Sequence, residues 1–465
     1  MHDDDALPTE PFLTILDADR IHDYVFSPYQ LRLIRGGSAK QLDLIERVLW
    51  EELASRQGQG IFAGGGTIMG VLGGFEAADR YCRDGAQIYY SSTAGAATIT
   101  GAAQAWIGEG EGGFKATLLE LKAKLERKKN ARCEQGFTGS RPYWKICEAC
   151  GLFPAAGSIA MPAGRMMACA PCELRWNEKR SPYLAKVNEA RGGSEELEAP
   201  EDLSSLARGS HPEGYLALVY IDGDSMGEYL VNNGSQSRAR YKELSKHVRE
   251  TFENGVIRAC ARISPEGGTA PFEILLTGGD DAIIMVQAHR ALDFMERFNE
   301  QFEEAHLQPE PAYSMGIVFA HASFPIRQFV AHAEELLRSA KRRRRENTVD
   351  FRVITEAMAD SEVDRSAAST AKPYSIAELE GLGRTIRTWK ANGMPRNKVN
   401  ALYRIAHEGI TQAELDYWVL VSRLEEKHKD LLRGFFKGSF WVEGVAGSGK
   451  RTKAADLVEL WSFVK

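Results

Sequence analysis

Apolar residues recur along this chain with two different periods. Tyr215-Leu216-Ala217-Leu218-Val219-Tyr220-Ile221, Phe272-Glu273-Ile274-Leu275-Leu276, Ala282-Ile283-Ile284-Met285-Val286 and Ser314-Met315-Gly316-Ile317-Val318-Phe319-Ala320 are short, largely apolar runs. Runs of this length and make-up predict buried strands. Between the first and second, residues 236–262 carry Leu244, Val248, Phe252 and Val256 four apart, the spacing of one helix face. Further helices are expected over about 288–306 and about 326–345, and a last strand over Val349 to Thr355. The order βαββαβ predicts a ferredoxin-like unit, in which the first strand pairs with the central hairpin.

The N-terminal part repeats that rhythm. Phe12 to Asp19 reads as a strand, and residues 28–56 as a helical stretch that Gly36-Gly37 could break. Leu31, Ile34, Leu42, Ile45 and Leu49 are its apolar positions. Ile61-Phe62-Ala63-Gly64-Gly65-Gly66-Thr67-Ile68 to Leu72 then reads as strand, glycine turn, strand. Residues 187–213 and 359–372 are polar and read as linkers. Residues 375–465 look mostly helical, with Leu379, Ile386, Leu402, Ile405, Leu415, Leu420 and Leu424 as apolar positions.

Composition changes the picture little. The 465 residues suit roughly two to four domains. A net charge of −6 implies no global attraction to nucleic acid. No apolar run reaches the ~18 residues of a membrane span. The acidic start, Met1-His2-Asp3-Asp4-Asp5, is unlike a signal peptide, so a cytoplasmic protein is expected.

The chemistry concentrates at two strand ends. Gly278-Gly279-Asp280-Asp281 joins two strand candidates, and the glycines permit a tight turn. Taken alone, this tetrapeptide fits an acidic turn as well as a cation site. Asp222-Gly223-Asp224-Ser225-Met226-Gly227 ends the strand expected beside it. Side chains two apart on a strand point the same way, so Asp222 and Asp224 can share a face. Gly223 lets a metal or phosphate approach the backbone. Adjacent carboxylates repel and are relieved by hard divalent cations, which in turn hold triphosphates. Asp222, Asp280 and Asp281 on neighbouring strands suit two-metal nucleotidyl transfer, with magnesium or manganese as the ions. In the N-terminal hairpin Gly66 and Thr67 stand where the aspartates would be, and Asp17 and Asp19 are weak metal candidates without them.

Cysteine spacing gives a second motif. Cys147-Glu148-Ala149-Cys150 and Cys169-Ala170-Pro171-Cys172 are paired knuckles of the kind that supply four thiolates to structural zinc. Cys82, Cys133 and Cys260 read as plain thiols.

These motifs resemble the palm-bearing large subunit of type III CRISPR effector complexes, the CRISPR polymerase. The likeness rests on Asp222-Gly223-Asp224-x-Met226-Gly227, Gly278-Gly279-Asp280-Asp281, Ser314-Met315-Gly316-Ile317, and Ala333-Glu334 leading to Ala340-Lys341, four elements in order. The resemblance implies an α+β fold of two ferredoxin-like palms, with a zinc module between them and a C-terminal helical domain. The corresponding boundaries are 11–130, 131–190, 212–358 and 373–465. It implies a GGDD palm that joins ATP into cyclic oligoadenylates, with Asp222, Asp280 and Asp281 holding metal and Lys341 contacting phosphates. Gly223, Asp224, Gly278 and Gly279 would border the nucleotide. Gly64, Gly65 and Gly66 of the noncatalytic palm would approach an ATP phosphate. It implies RNA-guided effector subunits and target RNA as partners. A cyclic dinucleotide synthase and a catalytically silent scaffold are the alternatives.

Three further signals are discounted. His2-Asp3 and His22-Asp23 are HD dipeptides, but the first palm begins near residue 11, leaving no room for the family's nuclease domain. His22 and Asp23 therefore read as ordinary polar residues. Gly444-Val445-Ala446-Gly447-Ser448-Gly449-Lys450 lacks the Ser or Thr a phosphate loop needs next, since Arg451 follows, and reads as a loop. The basic run Lys341 to Arg345 fits either phosphate or RNA contact or a solvated helix end.

Overall fold

The alternation of apolar runs and helical periods folds into two units of one topology. The computed structural model describes residues 7–108, 112–131, 144–161, 164–178, 183–193, 195–343, 346–355, 370–437, 439–443 and 450–465. The first unit comprises β1 (Pro11–Asp19), α1 (Ile21–Val25), α2 (Leu31–Asp43), α3 (Leu49–Ser55), β2 (Gln59–Gly64), β3 (Thr67–Gly73), α4 (Phe75–Ser92), β4 (Thr98–Ala105) and α5 (Gly113–Ala131). Its sheet runs β2-β3-β1-β4. Strand β1 is apolar on both faces because both are covered. Leu16 and Ala18 pack with residues of α2 to α4, whereas Leu13 and Ile15 pack with Phe114, Leu118 and Leu121 of α5.

The helix does not break at Gly36-Gly37. Both glycines are buried inside α2, and a side chain at Gly36 would collide with the Arg175 carbonyl. The irregularity comes later, as a π-helical turn over Leu44–Val48 between α2 and α3.

A small module follows, with the hairpin β5 (Gly157–Met161) and β6 (Gly164–Ala168) and helix α6 (Ala170–Asn177). Next come α7 (Leu184–Arg191), β7 (Leu197–Glu198) and α8 (Leu203–Ala207), inside the segment read as a linker. Val187 and Leu197 are buried in the core of the second unit, and that burial is what orders this polar stretch.

The second unit contains β8 (Tyr215–Gly223), α9 (Met226–Gly234), α10 (Arg238–Ile263), β9 (Gly268–Thr269), β10 (Phe272–Gly278), β11 (Asp281–Gln287), α11 (Ala291–Glu304), β12 (Tyr313–His321), α12 (Ile326–Ala340), β13 (Thr348–Val353) and β14 (Tyr374–Ser375). Its sheet runs β10-β11-β8-β12-β13-β14. The first four of these strands have the same connectivity as the N-terminal sheet, the expected ferredoxin-like order. Ser237 caps α10 by accepting from the Arg240 amide at 3.1 Å. Helix α12 ends at Ala340, earlier than the period suggested, and Lys341 to Arg343 turn toward β13. Alternate residues of β8 enter two cores. Ala217, Val219 and Ile221 face α10 and α11, and Leu216, Leu218 and Tyr220 pack in a cluster shared with α12 and the first unit.

Helices over 376–391, 396–406, 410–422, 426–436 and 454–460 form the C-terminal part. The first is capped by Ser375 and Glu378 in a reciprocal box. Gly444 to Gly449 lie outside the described residues. No helix among the described residues is long and apolar enough to cross a membrane.

Candidate active site between the two palms

Sheet register brings the predicted carboxylates together. Strand β8 ends at Gly223 and β11 begins at Asp281, and Asp222 lies directly opposite Asp281. The turn between β10 and β11 bends at Gly279, whose φ of 65° suits glycine. The Gly223 amide donates to the Asp280 carbonyl at 3.0 Å, which ties the turn to the end of β8. A Cβ on Gly223 would sit 3.1 Å from an Asp280 carboxylate oxygen, so glycine there leaves room for the acid. Asp224 lies just past the strand. Its amide donates to Ala312 at 2.8 Å, and its carboxylate accepts from the Ser314 hydroxyl at 2.9 Å.

Lys341 reaches this cluster from the end of α12. Its ammonium contacts Asp222, lies 4.0 Å from Asp224 and donates to the Gly223 carbonyl at 3.4 Å. Gly316 makes that approach feasible. A side chain there would collide with the Ala333 carbonyl, so its absence lets α12 lie close on β12.

Four carboxylates face one ammonium. Burial raises the pKa of Asp222 and Asp224, and Lys341 opposes the rise in both. Asp280 is pushed up to about 7, by burial first and then by Asp222 and Asp281. Carboxylates that disfavour one another's charge in this way form a donor set suited to hard divalent cations. Lys341 stands among these acids, in contact with Asp222. Among the described residues only Cys147, Cys150, Cys169 and Cys172 bring their ligand atoms all within 4.8 Å. All four thiols are buried and free, and the Cys150–Cys169 separation is 3.8 Å. The edge of a tetrahedron of Zn–S bonds is also about 3.8 Å, so the cluster fits zinc.

The first palm repeats the site without acids at its glycine turn. Its hairpin pairs Gly64 with Thr67 as the second pairs Gly278 with Asp281, and β2 carries a bulge at the same offset as β10. Asp17 lies opposite Thr67 and accepts its hydroxyl. Lys129, at the end of α5, contacts Asp17 and lies 3.7 Å from Asp19. Thr100 donates to Asp19 at 2.9 Å. Lys129 thus stands to Asp17 as Lys341 stands to Asp222. Two acids meet one lysine here, against four acids and one lysine in the second palm.

The two glycine turns meet. A Cβ on Gly65 would be 3.3 Å from the Gly278 carbonyl. Beside them opens a pocket lined by Gly64, Gly65, Gly66, Gln41, Gly278 and Asp281.

Sequence reasoning missed His22. Its Nε2 lies 3.8 Å from an Asp281 oxygen, and its Nδ1 3.3 Å from Glu334. Burial lowers its pKa, but Asp281 and Glu334 outweigh this and carry it up to about 9. No local pattern marks this residue, since β1 and β11 are more than 200 positions apart in the chain and meet only in the fold.

Two facing palms, one with aspartates at its glycine turn and one without, define a tandem-palm fold. Residues 215–349 match the family model described as the second palm domain of Cas10/Cmr2. A Csm1–Csm4 cassette crystallised with cA3 superposes at a TM-score of 0.66 with 16% identity, covering 100% of this chain and 71% of that one. The cassette with one ATP gives 0.66 and 16%, covering 98% and 70%. Csm1 in T. onnurineus gives 0.64 and 15%, again covering 98% and 70%. At this identity these structures establish the fold. No curated protein matches the chain. The resemblance to the type III large subunit is upheld, by sequence in the second palm and by fold along the chain.

Proposed function

We propose that this chain is a metal-dependent nucleotidyltransferase that converts ATP into cyclic oligoadenylates in CRISPR-type defence. The observation that carries this reading is the register of Asp222 against Asp281, with Asp280 at the turn, facing the glycine turn of a second palm beside one pocket. Crystallised Csm1–Csm4 cassettes in complex with ATP and with cA4 share the fold and support the choice of nucleotide and product.

Asp222, Asp280 and Asp281 would hold magnesium or manganese. A bound divalent pair supplies Lewis-acid polarisation of the attacking hydroxyl and the triphosphate. The chain's own residues do the rest. Gly278 and Gly279 let a triphosphate run close to the backbone, with Gly223 and Asp224 bordering it. Lys341, which contacts Asp222, would neutralise phosphate oxygens once Asp222 held a cation. Gly64, Gly65 and Gly66 offer the second nucleotide a turn without side chains. Holding two nucleotides across the glycine contact provides the proximity such a reaction needs. The four cysteines would hold structural zinc, and RNA-guided effector subunits and target RNA would be the partners of a cytoplasmic complex. The domain limits 11–130, 131–190, 212–358 and 373–465 belong to the same reading.

The test is incubation of the purified chain with each NTP and magnesium or manganese, followed by product mass analysis. Cyclic oligoadenylate from ATP, lost in the Asp280→Ala/Asp281→Ala variant, is the expected result. Equal product from the variant would overturn the site assignment.

A further inference from the structure

Two features remain without a role in this reading. One is Glu334, part of the Ala333-Glu334 motif. The other is His22, which belongs to the palm whose glycine turn lacks the acids. The structure joins them. Glu334 lies on α12, the helix that Gly316 seats against β12 and that delivers Lys341. His22 lies on α1, just beyond the end of β1. Their side chains meet at 3.3 Å through Nδ1. The other ring nitrogen faces the Tyr220 hydroxyl at 3.4 Å and Asp281 at 3.8 Å. The imidazole also packs edge-on to Tyr220, with ring centroids 5.5 Å apart.

The position of α1 is itself fixed from two sides, by the catalytic palm and by the cysteine module. Arg327, near the start of α12, donates to the Phe26 carbonyl at 3.1 Å and to the Cys150 carbonyl at 2.9 Å. Arg175, three residues after Cys172, donates to Ser27 at 2.7 Å and stacks over Tyr24 at 4.0 Å. Helix α1 is therefore clamped between α12 and the cysteine module, and its imidazole is held at Asp281.

We propose that His22 is a positioning residue for the catalytic palm, supplied by the palm whose glycine turn has no acids. Glu334 holds Nδ1 and so sets the ring plane. Nε2 then faces the Asp281 carboxylate and fixes its orientation for metal. Partners that hold a metal-binding carboxylate from behind orient it, and their loss typically weakens metal affinity about 10–100-fold. The role is structural positioning across the palm interface and involves no proton transfer. It gives a role to the Ala333-Glu334 segment on the helix that delivers Lys341.

This inference rests on the metal site proposed above, and the experiment separates the two. Mn²⁺ affinity of the full chain is measured by titration without nucleotide, alongside kcat and KM for ATP. His22→Ala is expected to weaken Mn²⁺ binding about 10–100-fold and to lower kcat, with KM for ATP changed less than about threefold. His22→Gln keeps a donor and should recover most of the affinity, whereas His22→Leu, of similar bulk without a donor, should not. Glu334→Gln, on a different element, should give an intermediate loss, and covers the case in which His22→Ala does not fold. Mn²⁺ affinity unchanged in His22→Ala, or equal losses in the Gln and Leu variants, would overturn the inference and leave the metal site standing. Absence of Mn²⁺ binding in the unaltered chain would overturn both.

Discussion

Gly65 of the first palm and Gly278 of the second touch backbone to backbone. A Cβ built on Gly278 would lie 2.9 Å from the Gly65 Cα, closer than side-chain carbons pack. Gly278 does not have a positive φ, so alanine is tolerated by its own backbone and opposed only by the other palm. Gly278→Ala should therefore leave a folded protein whose palms are pushed apart. Misplacing reacting groups by about 1 Å costs on the order of 100-fold. ATP turnover, measured with circular dichroism as a control for folding, should fall by about that factor.

The two lysine–aspartate pairs predict unequal metal binding. Asp17 is balanced by Lys129 and bonded by Thr67, whereas Asp222 stands among three further acids. Asp222→Asn should weaken Mn²⁺ affinity by about tenfold or more, because magnesium and manganese need carboxylate oxygens to replace their water. Asp17→Asn should leave the affinity within about twofold. Isothermal titration of both variants checks this; equal losses would mean that both palms bind the ions.

Asp280 predicts how the metal-free protein responds to pH. Its carboxyl is raised from 3.8 to about 7 in the fold. The folded state then holds a proton that the unfolded state has released, so stability declines as pH rises from about 4 to about 7 and levels off above that. Thermal melts in chelator should show Asp280→Asn losing less stability than the unaltered chain across this window. Magnesium or manganese, by favouring the charged form, should flatten the slope in the unaltered chain.

The cysteine cluster predicts a bound ion and a mechanical link. Metal analysis should find about one zinc per chain, and Cys147→Ser should lose it. Metal binding contributes folding free energy, so the melting temperature should drop by about 5 °C or more. Arg327 donates to the Cys150 carbonyl, so the loss should also loosen α1. Hydrogen exchange of residues 21–26 should rise in the variant.

Gly316 is the remaining test of the scaffold. Any side chain there meets the Ala333 carbonyl. Gly316→Val should destabilise the fold by about 1–3 kcal/mol, as overpacking does. It should also lift Lys341 and Glu334 from their partners. A denaturant titration with the stability of the unaltered chain would contradict this packing account.

Local pattern determined a great deal about this protein. The apolar runs of β8, β10, β11 and β12 have a length and composition that only buried strands explain, and the glycine turns and cysteine knuckles impose their geometry within a few residues. From these came the ferredoxin-like order, the meeting of Asp222 with Asp280 and Asp281, and the four-thiol cluster. Tertiary structure decided what depends on distant segments coming together. His22 looked like an ordinary polar residue because its partners, Asp281 and Glu334, are reached only when α1 docks on the second palm. Gly36-Gly37 looked like a break because a sequence does not show that Arg175 fills the space a side chain would need. Residues 187–213 looked like a linker because Val187 and Leu197 are few, and their burial depends on a core built from other elements. Strand pairing and turn chemistry are short-range and repeat along the chain, so sequence carries them. The facing of two palms is a packing of surfaces, and no residue pattern states which surfaces will meet.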